Sequence, residues 1–208
     1  MTAQPDHPQL YLITPAAFDP AAFAPILHRV LDAASIACLR LAMAGQDEDP
    51  IARAADTLRE IAHARDIPLV IDRHVGLVER LGLDGVHLPE RMPGIRKLRE
   101  TLGADTIIGA AAGTSRHDGM TAAEAGADYV AFSPVGDSPL GSGARAERPL
   151  FEWWSEMIEV PIVAEGRLTA ELVADLAPVT DFLAFGDEIW RAEDPVEALR
   201  ALIAPLGL

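Results

Sequence analysis

Residues 68–133 read PLVIDRHVGLVERLGLDGVHLPERMPGIRKLRETLGADTIIGAAAGTSRHDGMTAAEAGADYVAFS. Short apolar runs at Pro68–Ile71, Gly85–Leu88, Thr106–Ala110 and Tyr129–Ser133 alternate with stretches of helical spacing at 73–81, 94–102 and 118–125. The runs are apolar without alternation, which is expected of parallel strands buried on both faces. Leu81-Gly82, Leu102-Gly103 and Ala125-Gly126 close the three helical stretches with the glycine that a left-handed cap prefers.

The same alternation extends outward in both directions. Upstream lie runs Leu10–Thr14 and Ile36–Leu41, followed by helices of about 20–33 and 49–64. Downstream, a long loop (134–148) leads to a helix of about 149–158. Runs Pro161–Ala164 and Phe182–Phe185 follow, with helices at 169–176 and 194–204. Eight strand–helix units predict a closed α/β architecture, a (β/α)8 TIM barrel occupying residues 1–208 as one domain. The competing doubly wound sheet needs a glycine-rich turn after its first strand, where this chain has Thr14-Pro15-Ala16-Ala17.

Composition narrows the function classes. Lys plus Arg is 17 against 32 Asp plus Glu, a net charge of −15. Such a chain repels nucleic acid and anionic membranes. No apolar run reaches the ~18 residues of a membrane span. The first residues lack the basic-then-apolar order of a signal peptide. The expectation is a soluble, cytoplasmic, acidic domain. The single cysteine, Cys38, excludes a disulfide framework. Lys97 is the only lysine and falls in the fourth helix, away from the strand ends, which argues against Schiff-base chemistry.

In a barrel of this kind the chemistry sits at the C-terminal ends of the strands. That selects Arg40 and Met43 after strand 2, Asp72, Arg73 and His74 after strand 3, His87 and Glu90 after strand 4, the small residues Ala110 to Gly113 ending strand 5, Ser133, Asp137, Ser138 and Gly141-Ser142-Gly143 after strand 6, Glu165 and Arg167 after strand 7, and Asp187 and Glu188 after strand 8. Each also has a structural role open to it. Arg40 lies in a strand that should be buried, so it needs an acidic partner or a ligand. Asp72 suits the N-cap of the third helix as well as it suits a metal. His87 suits a satisfied structural histidine. Asp187 and Glu188 suit the cap before the last helix. The loops after strands 7 and 8, a common phosphate site in barrels, read Glu165-Gly166-Arg167 and Gly186-Asp187-Glu188. Their carboxylates oppose a phosphate unless Arg167 and backbone amides outweigh them.

These residues resemble thiamine phosphate synthase and its TenI-type relatives over about residues 10–190. LYLIT (10–14), CLRLA (38–42), PLVID (68–72), DGVHL (84–88), IIGAA (107–111), GADYVAFSPV (126–135) and VPIVAEGRLT (160–169) follow the family's strand motifs in order. The resemblance implies a homodimer that joins a pyrimidine pyrophosphate to a thiazole phosphate with Mg²⁺. It implies that Arg40 contacts pyrophosphate, that Asp72 is a Mg²⁺ ligand, that Ser138 handles pyrophosphate and that Gly166 begins the phosphate-binding Gly-Gly pair. His87, Ser133, Arg167 and Asp187 fall on substrate-binding positions, and Glu90 is the one carboxylate near the second metal position.

The departures cluster in the same places. Cys38 and Ala42 replace the family's glutamine and lysine. Ile71 replaces an asparagine, Met92 an aspartate and Ala111 a serine. Leu140 and Gly141 replace a threonine and a lysine, Arg167 a glycine and Asp187 a serine. Losing two phosphate-facing lysines should lower synthase activity by orders of magnitude. Three readings follow. The first is a divergent synthase in which Arg145, Arg148 or Arg167 replaces the lysines. The second is a family-derived enzyme for another, non-phosphorylated heterocycle. The third is a non-catalytic binding or assembly protein. Trp153 and Trp154 on the sixth helix are candidates for the homodimer interface that the resemblance implies, with packing inside the domain as the alternative for at least one of them.

Overall fold

The computed structural model describes residues 7–137 and 143–208. Eight parallel strands close into a barrel in sequence order: β1 (Gln9–Ile13), β2 (Ile36–Leu41), β3 (Leu69–Asp72), β4 (Gly85–Leu88), β5 (Ile107–Gly113), β6 (Tyr129–Phe132), β7 (Ile162–Glu165) and β8 (Phe182–Phe185). The helices around it are α1 (Pro20–Ala33), α2 (Glu48–His63), α3 (Val75–Leu81), α4 (Ile95–Leu102), α5 (Arg116–Glu124), α6 (Arg148–Met157), α7 (Ala170–Leu176), α8 (Asp187–Trp190) and α9 (Pro195–Ile203). The expected eight-unit barrel is therefore present, with α8 as an additional single turn between β8 and the final helix.

Alternation along each strand separates two apolar layers. Leu10, Leu12, Leu39, Leu69, Ile71, Val86, Ile108, Val130, Ile162 and Leu183 point outward and pack against the helices. Tyr11, Cys38, Val70, Tyr129, Ala131, Val163 and Ala184 fill the barrel interior. Both strand faces are buried, which is why the strands carry no polar alternation.

One device recurs at the N-terminal end of the barrel. Asp84, Asp128 and Asp181 each precede an even-numbered strand. Each accepts a hydrogen bond from an N–H at the start of the preceding strand: Leu69 (2.7 Å), Ile108 (2.7 Å) and Ile162 (2.8 Å). The aspartates of DGVHL and GADYV therefore staple neighbouring strands at the end opposite the expected chemistry.

Helix starts follow capping chemistry. Asp19, Ser115, Thr169 and Asp194 accept from the backbone N–H groups of Ala22, Asp118, Leu172 and Val196. Asp72 does not cap the third helix. It ends β3, and His74 occupies the cap position without a side-chain bond. Gly82 takes the left-handed cap, whereas Gly103 (φ 84°, ψ 176°) turns the chain directly into an extended segment. Trp154 is fully buried against Phe132 and donates to Val160 O at 2.7 Å, so it packs within the domain. Trp153 is half-buried beneath the Arg116 guanidinium, 4.7 Å from its ring centre.

Candidate active site

Arg40 is the anchor of the C-terminal end of the barrel. It is 4% exposed, and a buried guanidinium must be paired. Its partner comes from the far side of the barrel: Nη1 and Nη2 donate to the two carboxylate oxygens of Glu165 at 3.0 and 2.6 Å. Nε faces Asp72 Oδ1 at 3.3 Å as an ion pair. Neither of those two buried atoms has an aligned hydrogen bond. The Arg40 guanidinium also lies 5.8 Å from the centre of the Tyr11 ring. Burial lowers the arginine's affinity for its proton, but Glu165, Tyr11 and Asp72 outweigh it and hold the group charged. Burial raises the Asp72 carboxyl above its usual range, with Arg40 opposing.

Beneath this pair runs a polar chain through an otherwise apolar interior. Tyr11 Oη and Tyr129 Oη share a hydrogen bond at 2.8 Å, and Tyr129 Oη meets His87 Nδ1 at 2.9 Å. Burial, with Arg40 and Arg73 nearby, drives His87 well below the usual histidine range, so its ring is neutral in the folded protein. Burial also pushes the Cys38 thiol up to about 12, which leaves it an inert filler of the barrel.

The His87 shift gives a prediction with a definite sign. In the unfolded chain His87 titrates near ~6.5. Above that value neither state is protonated. As pH falls below it, the unfolded chain takes up a proton that the folded protein refuses, so stability declines toward acid. Urea unfolding at pH 7.5 and 5.5 should show a loss of about 1 kcal/mol in the wild type that is reduced in His87→Asn. An equal pH dependence in both proteins would remove His87 as its source.

A cavity of about 580 Å³ opens between the ends of β1, β2, β7 and β8. Thr14, Ala42, Glu165, Arg167, Gly186 and Glu188 are among its lining residues. Arg167 and Asp187 are exposed at its mouth, and Asp187 is ion-paired with Arg191. Gly166 (φ 94°) and Arg167 (φ 59°) both adopt left-handed backbone. Arg167 thus holds a conformation that strains a residue with a Cβ by about 1–2 kcal/mol. Glu188 is half-buried. Its Oε1 accepts from the Leu168 N–H (3.2 Å) and its Oε2 from the Gly186 N–H (3.1 Å). Asp187 and Glu188 begin the short helix α8 rather than capping α9, whose cap is Asp194.

The other expected residues are more dispersed. Ser133 follows β6, its N–H bonded to Gly113 O at 3.0 Å. Glu90 is exposed, and its carboxylate lies over Gly113, where an added Cβ would approach to 3.0 Å. Among the described residues no three His, Cys, Asp or Glu side chains group as a metal site, Asp72 and Glu90 included. Ser138 lies outside the described residues. The structure thus brings together Arg40, Asp72 and His87 on adjoining strands, with Gly166, Arg167 and Asp187 around the cavity. Reading the chain assigned no partner to Arg40. The signal was the arginine itself, since a buried strand arginine implies an acid at the same barrel height, and Glu165 is that acid.

Comparison with known proteins places this geometry in a family. The family model described as thiamine monophosphate synthase matches residues 10–184. A thiamine-phosphate synthase of Rhodospirillum centenum is 42% identical, covering 88% of this chain and 89% of the relative. One from Erythrobacter litoralis is 37% identical, with 89% and 90% covered. The structure of thiamine phosphate pyrophosphorylase from Pyrococcus furiosus superposes with a TM-score of 0.82 at 20% identity, covering 96% of this chain and 95% of that one. The match spans β2 to β7 completely and most of β1 and β8, with Arg40, Asp72 and Glu165 inside it, and it ends before the Gly186–Glu188 turn. On this evidence the chain belongs to the thiamine monophosphate synthase family.

Proposed function

We propose that the protein joins a pyrimidine pyrophosphate to a thiazole phosphate and releases pyrophosphate. The carrying observation is the placement of Arg40 beside Asp72 at the catalytic end of a barrel of this family. Departure of pyrophosphate concentrates negative charge on the leaving oxygens, and a preorganised cation stabilises that charge without reorganising. Arg40 is such a cation. Glu165 holds its guanidinium in one orientation through two bonds. Neutral His87, anchored by Tyr129, supports the floor of the site. Gly166, Arg167 and Asp187 border the acceptor's cavity, and Ser133 and Ser138 are substrate-binding residues of this reading.

Magnesium suits the same residues. It takes one or two carboxylates and completes its shell with substrate phosphates and water. Asp72 Oδ1 is a buried carboxylate oxygen without a hydrogen bond. Glu165 and Asp72 together exceed the single charge of Arg40. Asp72 would hold the ion together with the pyrophosphate, with Glu90 as the second carboxylate of this reading. Bound there, the metal supplies charge stabilisation to the leaving group. The reading extends to a homodimer in the cytoplasm, as the family likeness implies. Among the described residues no helix is long and apolar enough to cross a membrane.

The test is a coupled assay with both substrates and Mg²⁺, following pyrophosphate and thiamine phosphate. Expected turnover exceeds about 0.01 per second, below the usual ~1–10³ per second, and falls at least tenfold in Asp72→Ala. No product from folded protein overturns the proposal. A second reading, an enzyme for a neutral or cationic heterocycle, draws on the Glu165, Asp187 and Glu188 carboxylates at the cavity. It predicts thermal stabilisation by unphosphorylated ligands alone.

A further inference from the structure

In barrels of this type the loops after strands 7 and 8, with the N-terminus of a short extra helix, form a common phosphate cradle made of backbone N–H groups. Here both loops and the short helix are present. Their amides already hold an anion, and that anion is the chain's own. Glu188 reaches back from the first turn of α8. Its Oε1 takes the Leu168 N–H after β7, and its Oε2 takes the Gly186 N–H after β8. A carboxylate bridging two loops through backbone donors satisfies the groups that an incoming phosphate would need.

We propose that Glu188 is an internal competitor for the phosphate of the acceptor substrate and sets how weakly that substrate binds. The inference rests on the function proposed above for the choice of substrate, but not for the contact itself. Phosphate seats only when the Glu188 side chain swings out of the cradle. The approaching dianion also meets Asp187 and Glu165 on the cavity lining, with Arg167 and Arg191 as the nearby cations. The residue therefore favours acceptors that bring little negative charge to this end, and it raises the concentration of phosphorylated acceptor needed for turnover.

The experiment uses sulfate, whose charge is fixed, as the probe and needs no turnover. Sulfate is titrated into isotopically labelled wild type, Glu188→Ala and Glu188→Gln, and the backbone amide signals of Leu168 and Gly186 are followed. The half-saturating sulfate concentration should fall at least tenfold in Glu188→Ala. It should fall by a smaller factor in Glu188→Gln, which keeps the side chain's size and one acceptor oxygen. Equal half-saturation in all three proteins, or amide signals that do not move in the variants, overturns the proposal. If Glu188→Ala does not fold, the comparison of Glu188→Gln with wild type decides the matter alone. In the coupled assay the KM for thiazole phosphate should fall in step with the sulfate value. A sulfate effect without synthase turnover would leave the Glu188 role intact while removing the proposed reaction, so the two failures are separable.

Discussion

Replacing Arg40 with alanine is expected to cost the folded protein about 3–5 kcal/mol, because it strands buried charge. It should also abolish condensation. Glu165 and Asp72 face each other across the barrel mouth and are held there by one guanidinium. Without it, two carboxylates share a poorly solvated site. They must take up protons, admit water or move apart, and each response disturbs the ends of β2, β3 and β7. In a chain of this size ~1 kcal/mol corresponds to about 2–4 °C in the unfolding midpoint, so a drop on the order of 10 °C is anticipated. The double variant Arg40→Met/Glu165→Leu separates charge from packing. Replacing a buried ion pair with apolar groups is often close to neutral, so the double variant should recover most of the lost stability while remaining inactive. An Arg40→Ala midpoint within about 2 °C of wild type would mean that the pair is solvated and that the buried-charge account is wrong.

The same ion pair shows what a single sequence reveals and what it conceals. Arg40 was conspicuous because strand residues on either side of it are apolar, and a lone guanidinium there demands an explanation. Its partner lies 125 positions away. No local spacing connects residues on β2 and β7. Only barrel closure, which sets strand heights around the ring, brings them to one level. The strands themselves were legible because burial on both faces leaves an unmistakable apolar run. The aspartates of DGVHL and GADYV were legible as a motif, but their work as staples at the opposite end of the barrel was not, since it depends on an N–H at the start of the neighbouring strand.

Glu188 illustrates the other limit. Four residues of α8 are too few to display a helical period. The sequence therefore offered only a choice between a cap and a ligand, and the Glu188 carboxylate bridges two loops instead. Asp72 left a similar choice open between a cap and a ligand. An aspartate ahead of a helix resembles an N-cap, but here the chain runs two further residues before α3 begins, and the carboxylate stays with Arg40.

Gly136→Ala should be a strongly damaging single-methyl change at the cavity. Gly136 follows β6, and its N–H donates to Gly166 O at 2.9 Å. A Cβ at this position would sit 2.2 Å from the Arg167 carbonyl oxygen and 2.8 Å from its Cβ. The first of these contacts is backbone, so no side-chain rotation relieves it. A second contact between the two loops is tight but less so: a Cβ on Gly166 would meet Pro134 at 3.2 Å. The loops after β6 and β7 therefore touch main chain to main chain, and a methyl group must push them apart. Overpacking of this kind costs about 1–3 kcal/mol. The functional effect should be larger, since the displaced segment carries Arg167 and the Leu168 amide into the cavity, and a ~1 Å misplacement can cost ~10²-fold in rate. Gly143→Ala is the control, because a Cβ there meets nothing within 4 Å. The expected result is a drop of about 10²-fold in kcat/KM for Gly136→Ala, with Gly143→Ala near wild type. If Gly136→Ala keeps full kcat/KM while losing stability, the junction of the two loops serves the fold alone. The acceptor's cavity would then have to be positioned from the β1 and β8 side.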